Sequence, residues 1–221
     1  MSKDNNQLEP GKKLTVHERK SMFRRWIFAA GLGYNFETQQ APAVAFSMRK
    51  ALRKIYPKDD EYIEAMDNHY KYFNANPLMA NIILGATLAM EEKDGIKAKD
   101  AVQSLKTSLM GPFSGVGDSV FWILIPTIMG SIAGYMALQG NAVGAILWML
   151  LQLSFYWLKM WFFKTGYNSG TKLITSLGAK ISIFTDAISV MGLMVVGSLI
   201  PTVVKVYTPL KFATGKVMLS I

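Results

Sequence analysis

Cysteine is absent from the 221 residues, and histidine occurs only as His17 and His69. The first absence excludes thiol catalysis, disulfides and cysteine metal sites; the second argues against a histidine-based metal cluster. The polar N-terminus, MSKDNNQLEPGKK, lacks the apolar core of a signal peptide, so insertion into a membrane would depend on internal segments. Charge is missing over two long stretches. No Asp, Glu, Lys or Arg occurs in the 40 residues from Ser119 to Leu158, nor in the 18 from Ala187 to Val204. A bilayer core needs about 20 helical residues per crossing. The first run therefore suffices for two crossings, and the second for barely one.

Acids are scarce in the second half. Residues 119–221 hold seven Lys and the single acid Asp186, whereas residues 1–118 hold 17 Lys/Arg and 14 Asp/Glu. The net charge of +9 is not gathered into a basic stripe with interleaved aromatics, so nucleic acid is not an expected partner. Cations flanking apolar segments fit anionic lipid headgroups better.

The order of elements is set by local signals. Residues 1–14 read as a disordered polar tail. Thr15-Val-His-Glu18 is a capping box, in which hydroxyl and carboxylate satisfy free N–H groups at a helix start. The helix after it, within 15–34, mixes Arg19, Lys20, Arg24 and Arg25 with Val16, Phe23, Trp26 and Ile27. Two readings stay open for it: a helix lying in the headgroup layer, or an amphipathic helix packed on a partner. Pro42 in a first turn and the stripe Val44, Met48, Leu52 and Ile55 predict an amphipathic helix to Ile55. Asp59 or Asp60 would cap a third helix with Ile63, Met66, Tyr70 and Phe73 inward. Leu78–Met90 is too short for a straight crossing and is stopped by Glu91-Glu92. It reads as a buried helix or as a half-helix entering the membrane. Three Gly and one Pro in Gly111–Asp118 predict a break. Residues 119–138 and 142–162 predict a spanning hairpin turning at Gln139-Gly-Asn141. Lysines on both sides of it place its two ends in the cytoplasm.

Gly111–Asp118 superficially suggests a phosphate loop, but the Lys-Ser/Thr required after it is absent. His69 lies in a polar amphipathic segment, where a structural hydrogen bond outranks phosphate transfer. Trp148, Trp157, Trp161, Phe162 and Phe163 form an aromatic belt, and Gly130 with Gly134 a small-residue packing face. The short apolar segment ending in acids, and the Gly/Pro-rich segment ending in Asp118, suggest a transporter. Backbone exposed at membrane depth can bind a polar solute, and an acid kept there is a functional candidate.

Seven strings then carry a resemblance: Asn35-Phe-Glu37 with Gln40; Ile55-Tyr-Pro57; His69 with Phe73-Asn74 and Pro77; Ile83-Leu-Gly85 with Met90-Glu-Glu92; Leu109-Met-Gly-Pro112; Gly115-Val-Gly-Asp118 with Phe121-Trp122; and Gly166-Tyr167. In this order and spacing, from about residue 20 to 200, they resemble the IID component of the bacterial mannose/fructose/sorbose-family sugar phosphotransferase system. The resemblance implies an all-α, polytopic protein of the bacterial cell membrane, with amphipathic interfacial helices, broken or re-entrant helices and at least two full transmembrane helices. Its expected parts are the tail 1–14, an interfacial helix in 15–34, amphipathic and re-entrant transport-core helices in 35–118, the hairpin 119–162, and a linker with a further membrane segment in 163–221. Members usually continue past this point with another apolar helix, so the expectation is a C-terminally incomplete chain.

The resemblance also implies partners: a IIC membrane subunit, cytoplasmic IIA and IIB proteins, a sugar, lipid, assembly as a trimer of IIC–IID pairs, and a receptor role for bacteriocins. The phosphorylated histidines belong to IIA and IIB. No catalytic residue, metal or cofactor is therefore expected here, and the chain supplies translocation. Sugars are gripped by carboxylates and amides with an aromatic ring against the ring face, which makes Asn35, Glu37, Gln40, Glu91, Asp118 and Trp122 the candidate contacts. Thr38, and Ile-Leu-Ile-Pro126 after Trp122, stand where the family often has Arg. Glucose, mannose, an amino sugar or another hexose derivative all remain open. The alternative function is a membrane adaptor or receptor subunit that touches no solute; an enzyme acting alone lacks a nucleophile–base motif.

Overall fold

The capping box at Thr15 opens the first helix. Residues 13–170 are described by the computed structural model, together with Val190, Met194 and Gly197 as helical positions and the backbone of residues 211–214 and 217–220. Most of the polar tail and nearly all of the apolar run 187–204 lie outside the described residues. In α1 (Val16–Ala29), the Thr15 amide donates to Glu18 Oε2 at 2.7 Å, and the Glu18 amide donates to Thr15 Oγ1 at 3.3 Å. Lys54 of the next helix donates to the same carboxylate at 2.8 Å. The Lys54 hydrogen bond, followed by that of the Thr15 amide, lowers the Glu18 pKa from 4.5 to about 2. Met22, Phe23 and Trp26 form a buried face. Phe23 meets the rings of Tyr156 and Phe163 at 5.7 Å each. This face of α1 is packed on protein.

The Pro42 signal and its apolar stripe are realised in α2 (Ala41–Ile55), whose Val44, Met48, Leu52 and Ile55 are fully buried. The third helix, α3 (Asp59–Tyr70), differs from its sequence expectation. Asp59 and Asp60 lie in the first turn, with Lys58 at the cap position. There their charge favours the helix N-terminus without a side-chain cap bond. Its buried residues are Ala65, Asn68 and His69; of the expected stripe, Met66 packs against the core and Phe73, past the helix end, is fully buried, while Ile63 and Tyr70 are exposed at 56% and 48%. Polar partners draw Asn68 inward: it donates to the Lys99 carbonyl at 3.0 Å, and Lys106 donates to the Asn68 carbonyl at 3.0 Å.

The short apolar segment is α4 (Ala80–Asp94), a buried core helix. It does not stop at Glu91-Glu92 but carries both inside, buried, to Asp94. Gly95, at φ 61°, interrupts the helical path, and a short 3₁₀ turn leads into α5 (Lys99–Gly117). The expected break over Gly111–Asp118 is not there. Helix α5 runs through Pro112 to Gly117, and a π-helical turn, Asp118–Leu124, joins it to α6 (Ile125–Leu138). Packing outweighs propensity at Gly117, where a Cβ would stand 2.2 Å from that of Asn76.

The expected hairpin is present. Gly140 at φ 73° and the Asn141 amide bonded to the Met136 carbonyl at 2.9 Å turn the chain into α7 (Val143–Ser169). Gly144 lets α7 approach Ala133, whose Cα would lie 2.8 Å from an added Cβ, and Gly130 lies against Trp148. Gly134 faces open space. The central crossing is between α4 and α7. A Cβ on Gly85 would fall 2.3 Å from the Phe163 carbonyl oxygen, and one on Gly166 would fall 2.0 Å from that of Ile82. Two backbones are in contact there. The long helical stretches Ala80–Leu138 and Val143–Ser169 are each long and apolar enough to cross a membrane, and only 6% of the most apolar window of each is buried. To this helical architecture a short antiparallel pair is added, β1 (Lys211–Thr214) with β2 (Val217–Ser220), Lys211 opposite Ser220.

Candidate functional site

Two loops and the end of α5 converge beneath the hairpin. Residues 35–39 form a tight turn. Asn35 Oδ1 accepts the Thr38 amide at 2.6 Å, the Asn35 amide donates to the Gln39 carbonyl at 3.0 Å, and Gln39 takes φ 56°. Thr38, the departure from the family pattern, closes this turn, its hydroxyl accepting from Asn35 Nδ2 at 2.9 Å. Phe36 and Glu37 stand exposed at its tip. Gln40, fully buried, fastens the turn to the second loop. Its Nε2 donates to the Ala75 carbonyl at 2.7 Å and to the Tyr34 hydroxyl, and its Oε1 accepts the Ala75 amide at 3.2 Å.

Asn76, the next residue, does two jobs. Its Oδ1 accepts the Leu78 amide at 3.0 Å, ordering the entry to α4, while its Nδ2 donates to Asp118 Oδ1 at 2.9 Å. Only glycine at 117 leaves room for this approach. Asp118 is partly exposed at the first position of the π-helical turn, and Trp122, four residues on, is 59% exposed. Gln40 and Asp118 are thus linked through Ala75-Asn76; Glu37 and Trp122 are exposed, whereas the half-buried Asn35 side chain is engaged by Thr38 within its own turn.

Glu91 lies elsewhere, near the other end of α4. It is 2% exposed, and its Oε1 is 3.0 Å from Nε2 of the fully buried His69. Lys106, also fully buried, donates to the carbonyls of Asn68 at 3.0 Å and His69 at 3.4 Å and sits 5.8 Å from the Phe73 ring centroid. Burial, followed by the Glu91 charge, raises the pKa of the Tyr56 hydroxyl. Glu92 accepts the Leu14 amide at 2.7 Å and the Tyr167 hydroxyl. A buried cluster of this kind positions backbone and side chains and is costly to leave half-paired. The sequence did not disclose Asn76 and Lys106 as members of these arrangements. Asn76 before Pro77 was readable as a helix entry, but its partner 42 residues away leaves no local signal.

Comparison with known proteins identifies relatives of the whole chain. A family model described as the PTS system mannose/fructose/sorbose family IID component matches residues 13–221. The fructose permease IID component of Bacillus subtilis is 36% identical over 202 residues, covering 87% of this chain and 72% of that protein. The mannose-specific EIID component of Escherichia coli K12 is 33% identical over 213 residues, covering 94% and 75%. Among solved structures, the mannose transporter ManYZ in complex with a microcin matches with a TM-score of 0.68 at 30% identity, over 92% of this chain and 77% of that one.

Proposed function

Because this chain belongs to the IID components of the mannose/fructose/sorbose phosphotransferase family, and so is a membrane subunit of a sugar permease, we propose that it forms one wall of a sugar path with a IIC subunit. Uptake is coupled to phosphorylation by IIA and IIB, and the phosphoryl chemistry stays on those proteins. Helices α6 and α7 cross the bacterial cell membrane as a hairpin, with Gln139–Asn141 outside. The amphipathic helices α1 and α2 lie toward the cytoplasmic face, and lysines at both ends of the hairpin support that orientation. The complex assembles as a trimer of IIC–IID pairs. The microcin in complex with the related ManYZ transporter supports a bacteriocin-receptor role.

The observation that carries the sugar assignment is the Asn76–Asp118 pair at the π-helical turn. Asn76 engages one carboxylate oxygen and leaves the partly exposed Asp118 able to accept hydroxyl hydrogen bonds through the other. Trp122 offers an exposed ring one turn on, and π turns recur at functional sites. Asn35 and Glu37 contribute from the neighbouring turn, whereas the buried Gln40 and Glu91 hold the scaffold. Hydrogen bonds to a charged group are worth about 1.5–3 kcal/mol, so Asp118→Asn should lower sugar uptake at least tenfold (about 1.4 kcal/mol) in a normally assembled complex. Uptake at the wild-type rate would leave Asp118 a structural partner of Asn76. Should Asp118→Asn fail to assemble, uptake by Glu37→Gln, whose carboxylate is exposed, decides instead.

A further inference from the structure

A groove of about 580 Å³ separates the first half of α1 from the last turns of α7. Arg19 and Lys20 enter it from α1, and Lys164 from α7, with Trp157, Trp161 and Tyr167 along its floor. The Arg19 guanidinium lies 4.3 Å from the centroid of the Tyr167 ring. Among the described residues, none of these three cations pairs with a carboxylate. The neighbouring Glu92 is already engaged by Leu14 and by the hydroxyl of Tyr167. Three uncompensated positive charges converging on an open groove call for an anion.

The helix surface leading to the groove says which kind. Ile146, Leu150, Leu153, Trp157, Trp161 and Lys164 recur at helical spacing on one side of α7. The first five are 49–62% exposed. From Ile146 to Trp157 this stripe runs roughly 16 Å at 1.5 Å per residue, about half the 30 Å hydrocarbon thickness. Along one line, then, the surface is aliphatic for one leaflet, aromatic at the boundary and cationic beyond it. That order matches acyl chain, glycerol region and phosphodiester.

We propose that this groove binds one anionic phospholipid, with its phosphodiester held by Arg19, Lys20 and Lys164 and an acyl chain laid along Trp157, Leu153 and Leu150. The bound lipid adds to the tie between α1 and the cytoplasmic end of α7, which already meet through Phe23 against Tyr156 and Phe163 and through Arg19 over Tyr167. This rests on the membrane placement proposed above.

The test uses the full chain, delipidated in detergent and observed by native mass spectrometry with added phosphatidylglycerol or phosphatidylcholine of matched chains. The wild type should retain phosphatidylglycerol at least tenfold more strongly, and the combined Arg19→Gln, Lys20→Gln, Lys164→Gln variant should lose that preference. Equal retention of both lipids by the wild type, or an unchanged preference in the variant, overturns the site. Competition by glycerol 3-phosphate as strong as that by the lipid would mean a phosphate site, not a lipid site. If the triple variant does not fold, a phosphatidylglycerol photoprobe with its diazirine in the acyl chain decides on the wild type. Adducts should fall within residues 150–161, and adducts confined elsewhere defeat the assignment. A chain found in the membrane fraction without lipid preference sinks this inference alone, whereas one soluble without detergent sinks the membrane placement beneath it.

Discussion

Helix α4 and the first half of α7 are both rich in apolar residues, yet they meet opposite surroundings. In α4, Ile83, Leu84 and Leu88 are fully buried, while in α7 Ile146, Leu147, Met149, Leu150 and Leu153 are each about half exposed. Composition alone does not distinguish them. The difference lies in neighbours. α4 is enclosed by α2, α5 and the glycine-lined crossing with α7, whereas the outer side of α7 has no protein against it among the described residues. An apolar segment sealed by protein is a core element in any solvent. One left bare over this length calls for a partner protein or an apolar solvent to cover it.

The sharpest way to break this contrast is to part the two helices where they touch. Gly166→Val would put a side chain where the Ile82 carbonyl already stands. Overpacking costs about 1–3 kcal/mol, and backbone contact puts this site at the upper end. Thermal unfolding in detergent should shift strongly downward, with aggregation on size exclusion. Gly134→Val, which enters open space, should shift it far less. An unfolding temperature unchanged by Gly166→Val would mean that α4 and α7 are not one packed unit.

A charge on the bare side comes next. Leu153→Arg should cost about 2.5–3.5 kcal/mol of insertion free energy if lipid surrounds it, read as a reduced membrane-inserted fraction. In water a surface change of this kind costs within about 0.5 kcal/mol, so an unchanged inserted fraction would remove α7 from the lipid. Leu84→Ala, in the sealed helix, should instead lower stability by about 2–5 kcal/mol through a cavity without altering insertion.

The smallest effect sharpens the comparison at the edge of the buried region. The Glu18 carboxyl is held at about 2 against an ordinary 4.5. A lowered pKa in the folded state adds stability that is complete above about pH 4.5 and is lost as the pH falls toward 2. Melting curves across that window should show a slope that Glu18→Gln flattens. Identical slopes would place the Lys54 contact outside the folding equilibrium.

Features whose partners lie close in sequence were legible. The Thr15–Glu18 capping box, the α2 stripe and the turn at Gln139–Asn141 are all settled within a few residues, and each appears in the fold. The inner face of α3 was not, because its buried members Asn68 and His69 are polar and answer to Lys106 and Glu91 far along the chain. Hydrophobic periodicity cannot see such a face. Glycines misled for a related reason. In Gly111–Gly117 they suggested a break, yet Gly117 serves close approach to Asn76, and the backbone crossing at Gly85 and Gly166 joins positions with no local relation. Of the candidate contacts, the placement of Asp118 at the mouth of the apolar hairpin was readable. That Gln40 and Glu91 face inward was not, since burial of an amide or a carboxylate depends on partners that only the fold supplies.

The π-helical turn at Asp118–Leu124 also governs how this chain can tolerate changes of length. A π turn holds one residue more than the α-helix around it, and each α-helical residue rotates the remainder of its helix by about 100°. Deleting a single residue between Ser119 and Leu124 would therefore restore an ordinary helix, and because the widened turn already absorbs the extra residue, α6 would keep nearly the same side toward α7. Gly130 would stay against Trp148, whereas the same deletion within α6 itself would turn the residues beyond it by about 100° and pull the hairpin out of register. The turn acts as a buffer for length: a one-residue deletion there should leave co-purification with the IIC subunit intact, while one between Thr127 and Gly130 should abolish it.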